Sequence, residues 1–331
     1  MFRFARVVAA GLAALTLSAF QAVPPELPPR LAALAADAEA ARAFDYMALK
    51  AEGADLKALS DAVYRRTGFP GDDSRRCLTE AEAELQMGLA AATSASDPAM
   101  FEADRAAAQE ALEKWEVFSQ KIMAGEPAAE PPFKWVSDRY AEAAAQPDPR
   151  VRELLLRAAR DQLGRHVFSG GEQVWGVLSP GARSRVDTSL GRQMCEIDGE
   201  NTEWLKADIA ANGWYLISTT GEQASSAAWL MAQHADRDRA FQRQVLALLE
   251  PLAAAGETSA SNYAYLYDRV AVGENRPQRY GSQGRCVAKG VWAPNDLEDP
   301  EGVQARRDAF EMGSLAEYTA HMHRFCADFE G

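Results

Sequence analysis

The chain has 331 residues, 47% hydrophobic and 25% charged, with a formal net charge of −13. This ordinary globular composition confines disorder to short stretches. A surface this acidic repels phosphate backbones, which excludes nucleic acid and anionic lipid as partners unless charge is strongly segregated. Cores usually stop growing near roughly 250 to 300 residues, so the length favours two domains.

In chain order, Arg3 and Arg6 precede an uncharged run over 7–19, followed by a proline-rich stretch containing Pro24, Pro25, Pro28 and Pro29. This is a secretory signal pattern over 1–19, with cleavage expected after Ala19 or Ala22 and a Pro-rich mature N-terminus over 20–30. The apolar run is shorter than the roughly 20 residues needed to cross a bilayer. No cysteine lies nearby for lipid attachment, so a periplasmic or secreted product without stable membrane insertion is expected. Cleavage leaves 33 basic against 48 acidic residues, a charge of −15. The four cysteines, Cys77, Cys195, Cys286 and Cys326, then suggest two disulfides, with three connectivities open.

The region 31–123 is rich in Ala, Glu and Leu, which predicts an N-terminal helical hairpin or bundle. Thr79-Glu80-Ala81-Glu82 matches a capping box opening a helix to about 92, and Asp97-Pro98 opens another reaching 121. Repeated prolines and little apolar bulk make 124–133 an interdomain linker. The remainder, 134–331, reads as a compact helical domain. Asp148-Pro149 opens a helix to about 166 with an apolar stripe including Val151, Leu154, Leu155 and Ala158. Further helices are expected before Asn212-Gly213 and over 223–234, 238–249 and 260–270. Glycines at 281, 284 and 290 make 279–292 a small β-hairpin or structured loop. Asp299-Pro300 caps a last pair of helices ending near 328. The fold class is thus mainly α with one small β-hairpin.

The C-terminal half carries a series of short motifs: Asp161-Gln162 with Arg165, then Asp198 and Asn201, Gly213-Trp214 and Gln233-His234-Ala235-Asp236. Tyr265-Leu266, Asp268-Arg269-Val270, Pro277-Gln278 and Tyr280-Gly281-Ser282-Gln283 follow. In this order they resemble an uncharacterised bacterial domain family of unknown function, over about 150–318. Two departures stand out: Tyr215, where that family continues with proline, and an insertion-like stretch between His166 and Asp198. The resemblance implies a domain boundary and no activity.

Read independently, Gln162, Asn201 and His234 fall on helical stripes that are otherwise apolar. Each costs roughly 1 to 3 kcal/mol to bury unpaired, so each must find a partner or face a pocket. His234 and Asp161 are the catalytic candidates, because a histidine beside a carboxylate can serve as a general base. Arg165, Gln162, Asn201, Gln233, Asp236, Arg269, Tyr280 and Gln283 are the ligand-binding candidates. A packed core histidine beside an Asp161–Arg165 ion pair explains the same pattern and is the favoured explanation. No metal site is expected: His321 and His323 lie two apart on a predicted helix and point away from each other, and no HExxH spacing occurs. No GxSxG or phosphate-loop motif occurs, and no cofactor is expected. Trp204, Trp214 and Trp229 suit a core before a ligand groove. The function predicted is an exported envelope protein that binds a small molecule or envelope protein through its C-terminal helical domain. The alternative is a hydrolase-like enzyme with His234 as base and Arg165 and Gln283 positioning substrate.

Overall fold

The computed structural model describes residues 27–68, 75–327 and 329; the signal segment lies outside them. Four short helices come first, α1 (Pro29–Leu34), α2 (Ala38–Ala43), α3 (Tyr46–Ala51) and α4 (Leu56–Arg65). Side chains of Asp37, Asp45 and Asp55 cap the last three, each satisfying an amide that the first helical turn leaves free. The predicted capping box is present: Thr79 and Glu82 bond reciprocally at the start of α5 (Glu80–Ser94). Asp97 caps α6 (Pro98–Met123) and Asp148 caps α8 (Pro149–Gly170), with α7 (Phe133–Ala144) between them.

After the single-turn α9 (Glu172–Trp175) comes α10 (Pro180–Asn212), whose 33 residues span roughly 50 Å. It begins well before the helix that the sequence suggests, because Ser179 and Pro180 form a cap and first turn inside the stretch taken for an insertion. The helix packs on α5, α6 and α8, and on α11 (Ile217–Gln233). Next are α12 (Arg239–Ala254) and α13 (Ala260–Gly273). Strands β1 (Gly284–Ala288) and β2 (Val291–Pro294) pair antiparallel, Cys286 opposite Trp292, forming the expected hairpin. The last helices are α14 (Val303–Ala309) and α15 (Leu315–His323), ending in a 3₁₀ turn, Arg324–Cys326. Asp299 does not cap α14 directly. It accepts from the Gly302 amide, and the helix starts one residue later.

Three apolar clusters make up most of the core, two of them including residues of α10. The first joins α1–α5 to Phe101; here a Cβ at Gly88 would overlap the Tyr46 ring, so glycine lets that ring lie against α5. The second spans 124–132: Ala108, Trp115 and Ile122 of α6 pack with Phe133, Val136 and Tyr140 of α7 and Leu163 of α8. The third unites α8, the end of α10, α11, α12 and α13 around Leu154, Leu205, Met231 and Leu249. Trp214 and Tyr215 are buried there, with the Arg150 guanidinium 3.8 Å from the Tyr215 ring centre. Among the described residues no helix is long and apolar enough to cross a membrane.

Candidate functional site

Helix α8 presents Asp161, Gln162 and Arg165 toward α10 and the end of α11. There His234 terminates α11, its amide donating to Leu230 and Met231 carbonyls. Asp161 is buried, 1% exposed. Its Oδ1 lies 2.9 Å from His234 Nδ1 and 3.2 Å from Arg165 Nε, while its Oδ2 accepts from Gln162 Nε2 at 2.7 Å. Arg165 reaches on to α10, donating from Nη2 to Asp198 Oδ1 at 2.6 Å. His234 Nδ1 meets both a carboxylate oxygen and the Arg165 Nε–H, so it donates to Asp161 when protonated and accepts from Arg165 when not. Nε2 has no hydrogen-bond partner among the described residues, and His234 borders a cavity of about 440 Å³ with Thr202, Glu203, Arg237 and Asp238.

The two carboxylates are driven in opposite directions. Burial pushes Asp161 up, but the bonds and charges of His234 and Arg165 and the Gln162 amide more than offset it, and its pKa falls below the ordinary value. Burial dominates at Asp198, and the Asp161 charge adds to it against Arg165 and His234, raising Asp198 to about 6. One donor atom from each of Asp161, Asp198 and His234 lies within 4.8 Å of the others, a spacing that suits a metal ion. The cation in contact with all three is instead the Arg165 guanidinium, whose Nε is 3.1 Å from His234 Nδ1.

The other candidates sit apart from this cluster. Asp236 belongs to the corner between α11 and α12. Arg269 grips it through Nε at 2.9 Å and Nη2 at 2.5 Å, and Gln242 bonds both it and the Ala232 and Gln233 carbonyls. The QHAD tetrad therefore builds a pinned turn in which only His234 faces the α8 charges. Asn201 and Gln233 are buried, the former with Nδ2 and the latter with Oε1 unpartnered. Tyr280 packs against Phe310 and Tyr267. Gln283 is held within the β element, its amide N–H donating to Gln278 Oε1 and its Nε2 to Ser282 Oγ, so it does not join His234 as the sequence suggests.

Two organising residues belong to the motif-bearing half without being among the site candidates. Asp268, fully buried, accepts from the amides of Arg279, Tyr280 and Ser282 and from Ser282 Oγ, fixing the turn that leads to β1. Arg307, also fully buried, donates to the carbonyls of Tyr280, Met312 and Gly313. The available signal was a charged residue on an apolar stripe, Asp268 between Tyr267 and Val270. Arg307 stands in a polar run and carries none.

A second cavity, a cleft of about 580 Å³, opens between α7, α8 and α11. Leu155, Ala158, Ala227 and Leu230 line it, Trp135 (59% exposed) and Trp229 stand at it, and Gln162 joins it to the charged cluster. Burial lowers the pKa of His166, which also lines the cleft, against the pull of Asp161.

The cysteines are bridged Cys77–Cys195 and Cys286–Cys326, one of the three connectivities open to the sequence. The scaffold is thus a disulfide-linked, mainly α fold with a partly buried Asp–His–Arg–Asp cluster beside a largely apolar cleft. Residues 180–326 match the model of a family described as "Family of unknown function (DUF6624)". The match starts at α10, so Asp161, Gln162 and Arg165 on α8 lie outside it. No curated protein matches the chain, and no solved structure matches it.

Proposed function

We propose that this protein is an exported, non-enzymatic binding protein, and that its ligand is a small molecule with an apolar body and a polar end, held in the cleft between α7, α8 and α11. The single observation carrying this reading is the cleft itself. Its volume and its largely apolar lining suit a small-molecule site, with polar groups from Arg139, Gln162 and His166 on one side and Glu222, Gln223 and Ser226 on the other. The Asp161–Arg165–Asp198–His234 cluster serves as the rigid wall behind Gln162, whose amide is oriented by Asp161. Export is supported by the leader pattern and by two disulfides, which persist in oxidising compartments.

A hydrolase with His234 as base is the weaker reading, since Gln283 is held by Gln278 and Arg165 is already tied to Asp161 and Asp198. The test uses the apolar anionic dye 1-anilinonaphthalene-8-sulfonate. The native protein should bind it saturably with enhanced fluorescence. Ser226→Trp, which fills the cleft from an exposed position, should abolish that while leaving the circular dichroism unchanged. Equal dye binding in a folded Ser226→Trp protein would reject the cleft as the ligand site.

A further inference from the structure

The net charge of −13 conceals a local reversal of sign. Around the Cys77–Cys195 disulfide, between α10 and the segment leading into α5, lies a cavity of about 590 Å³. Among the described residues its lining includes five guanidinium groups, Arg75, Arg76, Arg183, Arg192 and Arg237, against one carboxylate, Asp187. We propose that this cavity binds a small oxyanion of the phosphate class, as a phosphate monoester or as free phosphate.

The argument rests on which charges are already matched. Arg76 is paired with buried Glu82, and Arg183 with Asp187. Arg192 gives Nη2 to Glu196, but its Nε is buried without a partner. Arg237 is only partly exposed, and its hydrogen bonds go to Cys195 Sγ and the Cys195 carbonyl, neither of them anionic. Among the described residues no carboxylate pairs with it. Burial and the nearby Arg75 charge press its pKa below the ordinary arginine value, while Asp198 and Asp236 oppose them without bonding it. A half-buried cation in that state gains from an anion that accepts its free N–H groups. Paired guanidiniums match the oxygens of a phosphate better than those of a monovalent ion. Gln86 Oε1, also buried and unpartnered, lines the same cavity and would accept from a ligand hydroxyl, which favours a hydroxylated monoester over the free ion.

The experiment is calorimetric titration of the intact, oxidised protein with inorganic phosphate and, separately, with glycerol 3-phosphate, at fixed ionic strength set with sodium chloride. Saturable one-to-one binding is expected, tighter for the ester. Arg192→Gln and Arg237→Gln should each weaken it about tenfold or more, a loss of about 1.4 kcal/mol. Arg160→Gln, which removes an exposed pair with Glu200 outside the cavity, should leave it unchanged. Free phosphate binding as tightly as the ester would support the site and assign it to the ion itself. Absence of saturable binding up to about 10 mM of either ligand overturns the proposal. Undiminished binding in Arg192→Gln and Arg237→Gln overturns it equally. If Arg237→Gln fails to fold by circular dichroism, Arg192→Gln alone decides. Ser226→Trp should bind phosphate normally, so failure of the cleft and failure of this site are distinguishable.

Discussion

Within a few ångströms, Asp161 and Asp198 share one arginine and differ in what surrounds them. Asp161 collects bonds from His234, Arg165 and Gln162, whereas Asp198 has the Arg165 contact and a burial cost that exceeds it. Because the folded pKa of Asp198, about 6, exceeds its ordinary 3.8, the native state holds that proton more tightly than the unfolded chain. Its contribution to stability is therefore present below pH 4 and is lost as pH rises from about 4 to 6. Asp198→Asn should lack this loss. Relative to the native protein, the variant should gain on the order of 2 kcal/mol between pH 4 and pH 6. Urea unfolding across that range checks it, and a constant difference between the two proteins would mean that Asp198 titrates normally.

At the scale of elements, α5 starts on a charged knot with the opposite sign of pH dependence. Burial pushes Glu82 up, yet Arg76, Arg66 and the Thr79 amide outweigh it and hold the carboxyl down to about 2. Stability from this group is present above its ordinary 4.5 and disappears as pH falls from there toward 2. Glu82→Gln should cost about 3 kcal/mol at pH 7, near the low end for breaking a buried pair because both arginines are 43% exposed. The penalty should vanish at pH 2, as thermal melts at the two pH values would show. The corner between α11 and α12 is built differently. There Gln242 and Arg269 tie down the QHAD turn, so His234 is aimed by a hydrogen-bonded loop rather than by helical periodicity.

For the whole molecule, α10 is the spine: two of the three major apolar clusters include its residues, α5 of the third packs on it, and Cys77–Cys195 fastens the N-terminal helices to its middle across 118 residues of chain. In the chain-entropy account, closing a loop of that size removes about 4 to 5 kcal/mol of denatured-state freedom. The pair Cys77→Ser with Cys195→Ser should lose most of that in guanidinium unfolding. Removing Cys286–Cys326, which spans 40 residues, should cost less, about 3 to 4 kcal/mol. Equal losses would place the stabilisation in native contacts rather than in loop closure. The Cys77–Cys195 bridge also lies in the lining of the arginine-lined cavity.

Local chemistry was sufficient wherever one segment decides its own conformation. The Thr79–Glu82 capping box, the Asp97-Pro98 and Asp148-Pro149 starts, the β-hairpin and the mainly α class could be read from neighbouring residues, because caps and glycine turns act over three or four positions. The meeting of Asp161, Arg165 and His234 was legible for a related reason, since polar residues on apolar stripes must find partners. Which partners they found was not. Helical spacing places a side chain on a face but not opposite a particular residue on another helix. Gln283 was therefore assigned to His234 when Gln278 holds it, and the organising roles of Asp268 and Arg307 were not foreseen. Disulfide pairing, the cleft beside Gln162 and the gathering of five arginines in an acidic protein all arise where distant segments are packed together, and only the tertiary structure decides which those are.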